Sequence, residues 1–136
     1  MKAEPRIAAI DHAGIRVRDK TRSAQFYAKL GFKVVLDDAP ARCLELGNDG
    51  GVRIHLIWNA PPDDPAFNAL MDDTVKHTGI THVAFTVDDL DALVRLLARE
   101  SIPITEGPKQ DHRRRYLFCR DPDGTVLEFS ELSTKR

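Results

Sequence analysis

The sequence predicts an α+β fold in which one strand–helix–strand–strand–strand unit occurs twice. The segment I-D-H-A-G-I-R-V-R-D at residues 10–19 is echoed seventy residues later by I-T-H-V-A-F-T-V-D-D at residues 80–89. Each copy is an apolar, β-branched segment with a histidine at the same place, and each runs into an acidic residue and then a helical pattern. Three short strand patterns follow each helix, so the shared order of elements indicates an internal duplication.

The first half begins with a strand pattern at residues 7–18 and continues into a helical pattern at residues 19–30. One face of that helix is apolar, and Gly31 is a natural end because glycine readily adopts the left-handed conformation that closes helices. Three short strands are predicted next, separated by the turn sequences D-D-A-P-A and G-N-D-G-G, at residues 32–37, 42–47 and 52–58.

The second half repeats this order. A strand at residues 80–87 leads into an amphipathic helix at residues 88–101, and aspartates in its first turn suit the positive end of the helix dipole. Three strands are predicted to follow, the last two joined by the turn D-P-D-G, near residues 102–105, 115–120 and 125–131.

These patterns divide one domain, residues 1–136, into a first module (7–59), a linker (60–78) and a second module (79–132). The linker contains three prolines and one predicted helical turn around residues 66–71.

Length, charge and composition exclude several functional classes. A chain of 136 residues can bury a real interior, and a net charge of −1 gives no overall attraction to nucleic acid or to an anionic membrane. The basic run at residues 113–115 is interpreted as a strand start or a local anion contact. We find neither an apolar secretory signal nor a bilayer-spanning apolar run, so a cytoplasmic protein with reduced thiols at Cys43 and Cys119 is expected.

Strand alternation places the most informative side chains on one face of each half. His12 and His82 lie at equivalent positions of the two first strands, on the face opposite the helix. His55 and Glu128 lie on the same face of the two fourth strands. Each residue alone is typical of a hydrogen-bonded core histidine or a solvated carboxylate. All four together, at matched positions and with one parity, indicate a ligand set for a divalent ion such as Zn, Ni, Co or Fe.

Four segments also carry a resemblance to a known superfamily. They are D-H-A-G-I-R-V, A-Q-F-Y-A-K-L-G-F, T-H-V-A-F-T-V-D-D and D-P-D-G-T-V-L-E-F-S-E, and the similarity extends from residue 7 to residue 132. The sequence resembles the vicinal oxygen chelate superfamily, which contains glyoxalase I, methylmalonyl-CoA epimerase, extradiol dioxygenases and bleomycin-resistance proteins. The resemblance implies two βαβββ modules that form an open eight-stranded half-barrel around one metal, held by His12, His55, His82 and Glu128.

The local pattern is closest to glyoxalase I-like members. As in glyoxalase I, an arginine follows the first ligand by four residues and an asparagine follows the second by four, which makes Arg16 and Asn59 candidate substrate-binding residues. The segment G-P-K at residues 107–109 resembles a segment near the glyoxalase I substrate. His55 is a departure, since glyoxalase I has a glutamate there and the epimerases have a glutamine.

Three function classes follow from the resemblance. The first is a metal-dependent lyase or isomerase that acts on a small oxygen-chelating substrate, such as a glutathione hemithioacetal, through a metal-stabilised enediolate. Glu128 would be the base, with Glu45 as a second candidate whose apolar neighbours favour a solvent-facing role. The second is a dioxygenase, epimerase or thiol-transferase, for which His12, His82 and Glu128 would suffice as ligands. The third is a metal-free binding protein of the bleomycin-resistance kind.

The resemblance also implies a homodimer, because open sheet edges in this superfamily are commonly covered by a second chain. The linker of about twenty residues is long enough to return the second module beside the first. That length is compatible with a site built by one chain or by modules of two chains. The three prolines and the predicted turn at residues 66–71 indicate a linker with its own path, so we expect all four metal ligands to come from one chain.

Overall fold

The computed structural model describes residues 3–133 and contains two four-stranded sheets. The first sheet has the strand order β1-β4-β3-β2, with β1 and β4 parallel and the other pairs antiparallel. Its elements are β1 (Ala13–Arg16), α1 (Lys20–Lys29), β2 (Lys33–Asp38), β3 (Cys43–Gly47) and β4 (Arg53–Ile57).

The second sheet repeats that topology after a short linker helix, α2 (Ala69–Asp72). Its strand order is β5-β8-β7-β6. The first and last strands of the module in chain order, β5 and β8, are again parallel. Its elements are β5 (Val83–Thr86), α3 (Leu90–Arg99), β6 (Ile104–Gln110), β7 (Arg114–Arg120) and β8 (Val126–Leu132). The α+β class and the duplicated βαβββ order predicted from the sequence are therefore confirmed.

Both long helices begin and end in the same way. The carboxylates of Asp19 and Asp89 each accept a hydrogen bond from the backbone N–H three residues on, at 3.0 and 2.9 Å. After the last turn, Gly31 and Ser101 adopt positive φ angles of 97° and 56°. Each helix packs against its own sheet, α1 on β2 and β4 and α3 on β8.

One continuous core joins the two modules. Ile15 and Ile54 of the first sheet and Leu127 and Phe129 of the second are buried in the same apolar cluster, as the alternation of the sequence predicts. The helix-packed faces of both sheets thus share an interior, and the rings of Phe32 and Phe85 lie 6.1 Å apart across it. The opposite faces, which carry the predicted metal ligands, therefore point away from the shared core.

Polar contacts lock the modules together at the D-P-D-G turn. The Tyr27 hydroxyl donates to Asp121 at 2.8 Å, and Arg18 donates to Asp123 at 2.7 Å. Ser23 also donates to Asp123, at 3.2 Å. Burial raises the pKa of the Asp121 carboxyl, although hydrogen bonds from Tyr27 and from the turn backbone oppose that rise.

Two predicted strands differ from the structure in length. The strand expected at residues 7–18 forms only over Ala13–Arg16, because these are the residues that pair with β4, at Ile54–Ile57. Residues 3–12 have no strand partner within the described chain and are exposed. The strand expected near 102–105 instead runs from Ile104 to Gln110, where it pairs along β7. Within residues 3–133, no helix has both the length and the apolar character that a membrane crossing requires.

Candidate metal centre

The first module brings two of the predicted ligands into direct contact. His12 lies just before β1, and His55 lies on β4 opposite Gly14 of β1. Their imidazole rings are stacked, with centroids 3.6 Å apart and planes inclined by only 10°. Each ring also has a carboxylate neighbour: Asp11 accepts from His12 Nδ1 at 2.8 Å, and Glu45 lies 3.2 Å from His55 Nε2.

The hydrogen bond to Asp11 determines which nitrogen of His12 is available. A carboxylate can only accept, so Nδ1 of His12 carries the proton and a neutral ring has its free lone pair on Nε2. The same bond holds the pKa of the Asp11 carboxyl below its usual range. Metal-binding histidines commonly have such an outer carboxylate, which orients the ring and raises its affinity as a ligand.

The second module brings the other two predicted ligands together. Glu128 on β8 lies opposite Ala84 of β5, and its Oε1 is 3.3 Å from Nε2 of His82. Thr81 hydrogen-bonds His82 Nδ1 at 2.8 Å, so a residue adjacent in sequence holds this ring as Asp11 holds His12. The strand register is equivalent in the two modules, because each fourth-strand residue lies opposite the residue two positions after the histidine.

Glu128 is held far more tightly than His55. Only 3% of its surface is exposed, and its Oε2 accepts hydrogen bonds from Arg114 Nη1 and from the Ser130 hydroxyl, the latter at 2.7 Å. The Arg114 guanidinium lies 4.3 Å from the ring centre of Tyr116, which covers one of its faces. Oε1 of Glu128 is left facing His82.

Sequence reasoning did not single out Arg114. Strand alternation could have indicated it, because Arg114 lies on the same face of β7 as Phe118. In the register with β8, Phe118 lies opposite Glu128. Glu45, for which the sequence favoured a solvent-facing role, is partly exposed and lies beside His55 on the ligand-bearing face. The two other histidines, His77 and His112, are exposed.

The two pairs do not meet within one chain. Among residues 3–133, the group of potential ligand atoms that lie within 4.8 Å of one another contains Asp11, His12 and His55. His82 and Glu128 do not belong to it. The assembly of all four ligands from one chain, which the sequence predicted, is therefore not seen among the described residues, in which the helix-packed faces of the two modules share one core.

The donor chemistry fits a divalent ion, but the first pair must rearrange to bind one. Three imidazoles and a carboxylate are suitable ligands for borderline divalent metals. A metal lies in the plane of each imidazole that binds it, because the nitrogen lone pair lies in that plane. The nearly parallel planes of His12 and His55 share no nearby point, so at least one ring must rotate before both can ligate the same ion.

The predicted substrate-binding residues touch each other at the far end of β1. Arg16 Nε donates to Asn59 Oδ1 at 2.8 Å, across forty-three positions of sequence. Both side chains lie on the same face as His12 and are exposed. They offer a guanidinium and an amide to an anionic or amide-bearing group.

Comparison with known proteins agrees with this architecture. Residues 9–129 match the family described as the Glyoxalase/Bleomycin resistance protein/Dioxygenase superfamily. The chain belongs to this superfamily. Protein YwkD of Bacillus subtilis is 32% identical over 133 residues, a match that covers 92% of this chain and 98% of YwkD.

Solved structures show the same fold. A glyoxalase family protein from Enterococcus faecalis is 25% identical, with a TM-score of 0.72 over 90% of this chain and 97% of the other. TnmS3, an antibiotic binding protein from Streptomyces, has a TM-score of 0.73 at 20% identity and covers 96% of this chain and 100% of its own. The fold thus occurs with the glyoxalase name and also with a binding function.

Proposed function

We propose that this protein is a metal-dependent lyase or isomerase that acts on a small substrate with two neighbouring oxygens. The observation that carries the proposal is the equivalent placement of two ligand pairs, His12–His55 and His82–Glu128, on the same register positions of the two sheets. The superfamily contains enzymes of this type, and the ligand chemistry suits a divalent ion.

The bound ion would polarise the two substrate oxygens and stabilise the charge that develops when a proton leaves the adjacent carbon. Glu128 Oε1 is the atom that would take that proton, after it loosens from the metal, because Oε2 is already occupied by Arg114 and Ser130. Those two donors keep the carboxylate oriented while the other oxygen reacts. Glu45, at 3.2 Å from His55, is a second basic group on the opposing half.

Completion of the site requires a second chain in this proposal. In a two-fold dimer, the His12–His55 pair of one protomer would lie beside the His82–Glu128 pair of the other, which yields two equivalent sites. The segments that lead into both histidines support this arrangement, since Ile10 is 90% exposed and Ile80 is 85% exposed. Apolar side chains at these positions are suitable for burial against a partner chain.

A second candidate function keeps the metal but omits His55 from its ligands. His55 is stacked on His12 and lies beside Glu45, so it has partners other than a metal. His12, His82 and Glu128 would then form a two-histidine, one-carboxylate set with open positions, which is typical of non-haem iron enzymes that use oxygen.

Elemental analysis of protein purified without chelator tests both candidates. About one divalent ion per chain is expected, and loss of that ion in His12→Ala and His82→Ala would support the ligand assignment. His55→Ala separates the candidates, because it should release the ion only if four residues bind it. The metal-loaded protein is then assayed with a glutathione hemithioacetal, as the first oxygen-chelating substrate, under nitrogen and in air. A metal-free protein would contradict the proposal.

A further inference from the structure

We infer that Arg114 receives a carboxylate of the substrate, so that the chelating end of the substrate is an α-hydroxy or α-keto acid. This inference rests on the proposed metal centre and names the substrate class for it. It departs from a hemithioacetal, whose chelating end is uncharged.

The position of Arg114 is the first step. Its Nη1 donates to Glu128 Oε2, while Glu128 Oε1 faces Nε2 of His82. Arg114 is therefore separated from the proposed metal position by a single carboxylate group. Stacking on Tyr116 and a contact with the Ser130 hydroxyl at 3.2 Å hold the guanidinium in this place.

The balance of charge is the second step. Neighbouring charges on this module are already paired, since Lys109 contacts Glu106 at 2.6 Å and Arg120 contacts Asp72 at 2.6 Å. Glu128 is the one carboxylate in the proposed ligand set, and it already neutralises Arg114. Within the second module alone, a divalent ion together with Arg114 leaves one excess positive charge after Glu128 and Asp111, at 3.5 Å from Arg114 Nε, are counted. Asp11 and Glu45 belong to the other half-site, beside His12 and His55. A partly buried site with that excess favours an anionic ligand.

The hydrogen-bonding capacity of Arg114 is the third step. A guanidinium has five N–H donors in a planar fork that suits carboxylates. Among the described residues, the side-chain hydrogen bonds of Arg114 all come from Nη1, and its buried Nε makes none, although Asp111 lies 3.5 Å away. A metal ion bound to Glu128 would also polarise its carboxylate, which would weaken the ion pair between Glu128 and Arg114. The arginine therefore has capacity for a second carboxylate beside the metal.

The aromatic side chains near His82 indicate which substituent the substrate acid would carry. Phe118 lies next to His82, with ring centres 5.7 Å apart, and next to Tyr116, with ring centres 6.0 Å apart. These rings form an aromatic wall beside the ligand pair. A small apolar substituent on the acid would pack against it.

The test compares two ligands of nearly the same shape that differ in charge. Lactate and hydroxyacetone both present neighbouring oxygens to a metal, and only lactate carries a carboxylate. Their affinities for the metal-loaded protein are measured by titration calorimetry for wild type, Arg114→Gln, Arg114→Lys and Arg115→Gln. Arg115 is the matched control because it lies next in sequence, points to the other face of β7 and pairs with Asp91 at 2.8 Å.

Arg114→Gln is expected to weaken lactate binding by about ten- to a hundredfold more than it weakens hydroxyacetone binding, the difference typical of a hydrogen bond to a charged group. Arg114→Lys should recover part of the loss, and Arg115→Gln should change neither ligand. Metal content measured on each variant confirms that the site is loaded.

Two other outcomes overturn the inference in distinguishable ways. If the metal stays bound and Arg114→Gln weakens both ligands equally, or neither, then Arg114 acts only through Glu128 and the substrate class is wrong, while the proposed function stands. If wild-type protein binds no divalent metal, the proposed metal centre fails and the inference fails with it.

Discussion

The two modules present their ligand pairs on equivalent strands but in unlike surroundings. In the first, His12 and His55 are stacked on each other, and a carboxylate lies beside each ring. In the second, His82 faces a nearly buried Glu128, and Arg114 and Ser130 hold that carboxylate in place. Two copies of one structural unit have thus acquired one loosely held half-site and one tightly held half-site.

Under the proposed function, this difference indicates which half-site would have its geometry before a metal binds. Nε2 of His82 and Oε1 of Glu128 already face each other. The stacked rings of His12 and His55 would have to rotate before both could bind one ion. We expect the second module to determine the position of the metal and the first to close around it. The predictions below test this division of roles, from the largest expected effect to the smallest.

Mixing two defective chains tests whether the half-sites come from different protomers. His12→Ala and Glu128→Ala should each abolish stoichiometric metal binding. If the chains are unfolded together and refolded as a shared dimer, random pairing should restore about a quarter of the sites, because half of the dimers are mixed and each mixed dimer has one intact site. Elemental analysis of the refolded mixture gives the answer. No recovery from two folded variants would contradict the shared site.

Removal of Glu128 should lower the free energy of unfolding more than removal of His55. Glu128→Ala leaves the Arg114 guanidinium without its charged partner in a partly buried place, which should lower the free energy of unfolding by about 2–3 kcal/mol. His55→Ala should cost less, about 1 kcal/mol, because that ring is partly exposed and stacks on the exposed ring of His12. Urea unfolding of both metal-free variants measures the difference. Equal losses would mean that the half-sites are equally well held.

The residues that orient the two histidines should differ in importance. Asp11 can only accept from His12, so it fixes the ring nitrogen that remains free, whereas the Thr81 hydroxyl can donate to or accept from His82. Asp11→Asn should weaken metal binding by about tenfold, the lower end for an outer-shell partner, and Thr81→Val should weaken it less. Competition with a coloured chelator measures both constants. A larger effect at Thr81 would reverse this ranking.

The contact between the modules should give the smallest effect, a shift of stability with pH. Burial raises the pKa of Asp121, so the folded protein holds this proton more tightly than the unfolded chain does. Its contribution to stability therefore falls as pH rises from the ordinary value of 3.8 through the raised pKa. Asp121→Asn removes that dependence.

Urea unfolding of wild type and Asp121→Asn between pH 4 and pH 7 tests this sign. The variant should gain stability relative to wild type as pH increases. A relative loss over the same range would show that hydrogen bonds from Tyr27 and the turn backbone outweigh burial.

Much of this architecture was determined by the sequence alone. The duplication, both helices with their aspartate caps, and the face on which His12, His55, His82 and Glu128 lie could all be predicted, because helix capping and strand alternation depend on neighbours close in the chain. The superfamily was also recognisable from four segments, and the match over residues 9–129 agrees with it.

Only the tertiary structure decided which of these side chains meet. The stacking of His12 on His55 and the capture of Glu128 by Arg114 depend on strand register, which joins residues far apart in the chain. The shortened β1 depends on where β4 provides a partner. The separation of the two ligand pairs depends on the choice of sheet faces that the modules bury together. Apolar residues occur on the helix side of both sheets, so those faces are buried in one shared core and the predicted ligands lie outside that core.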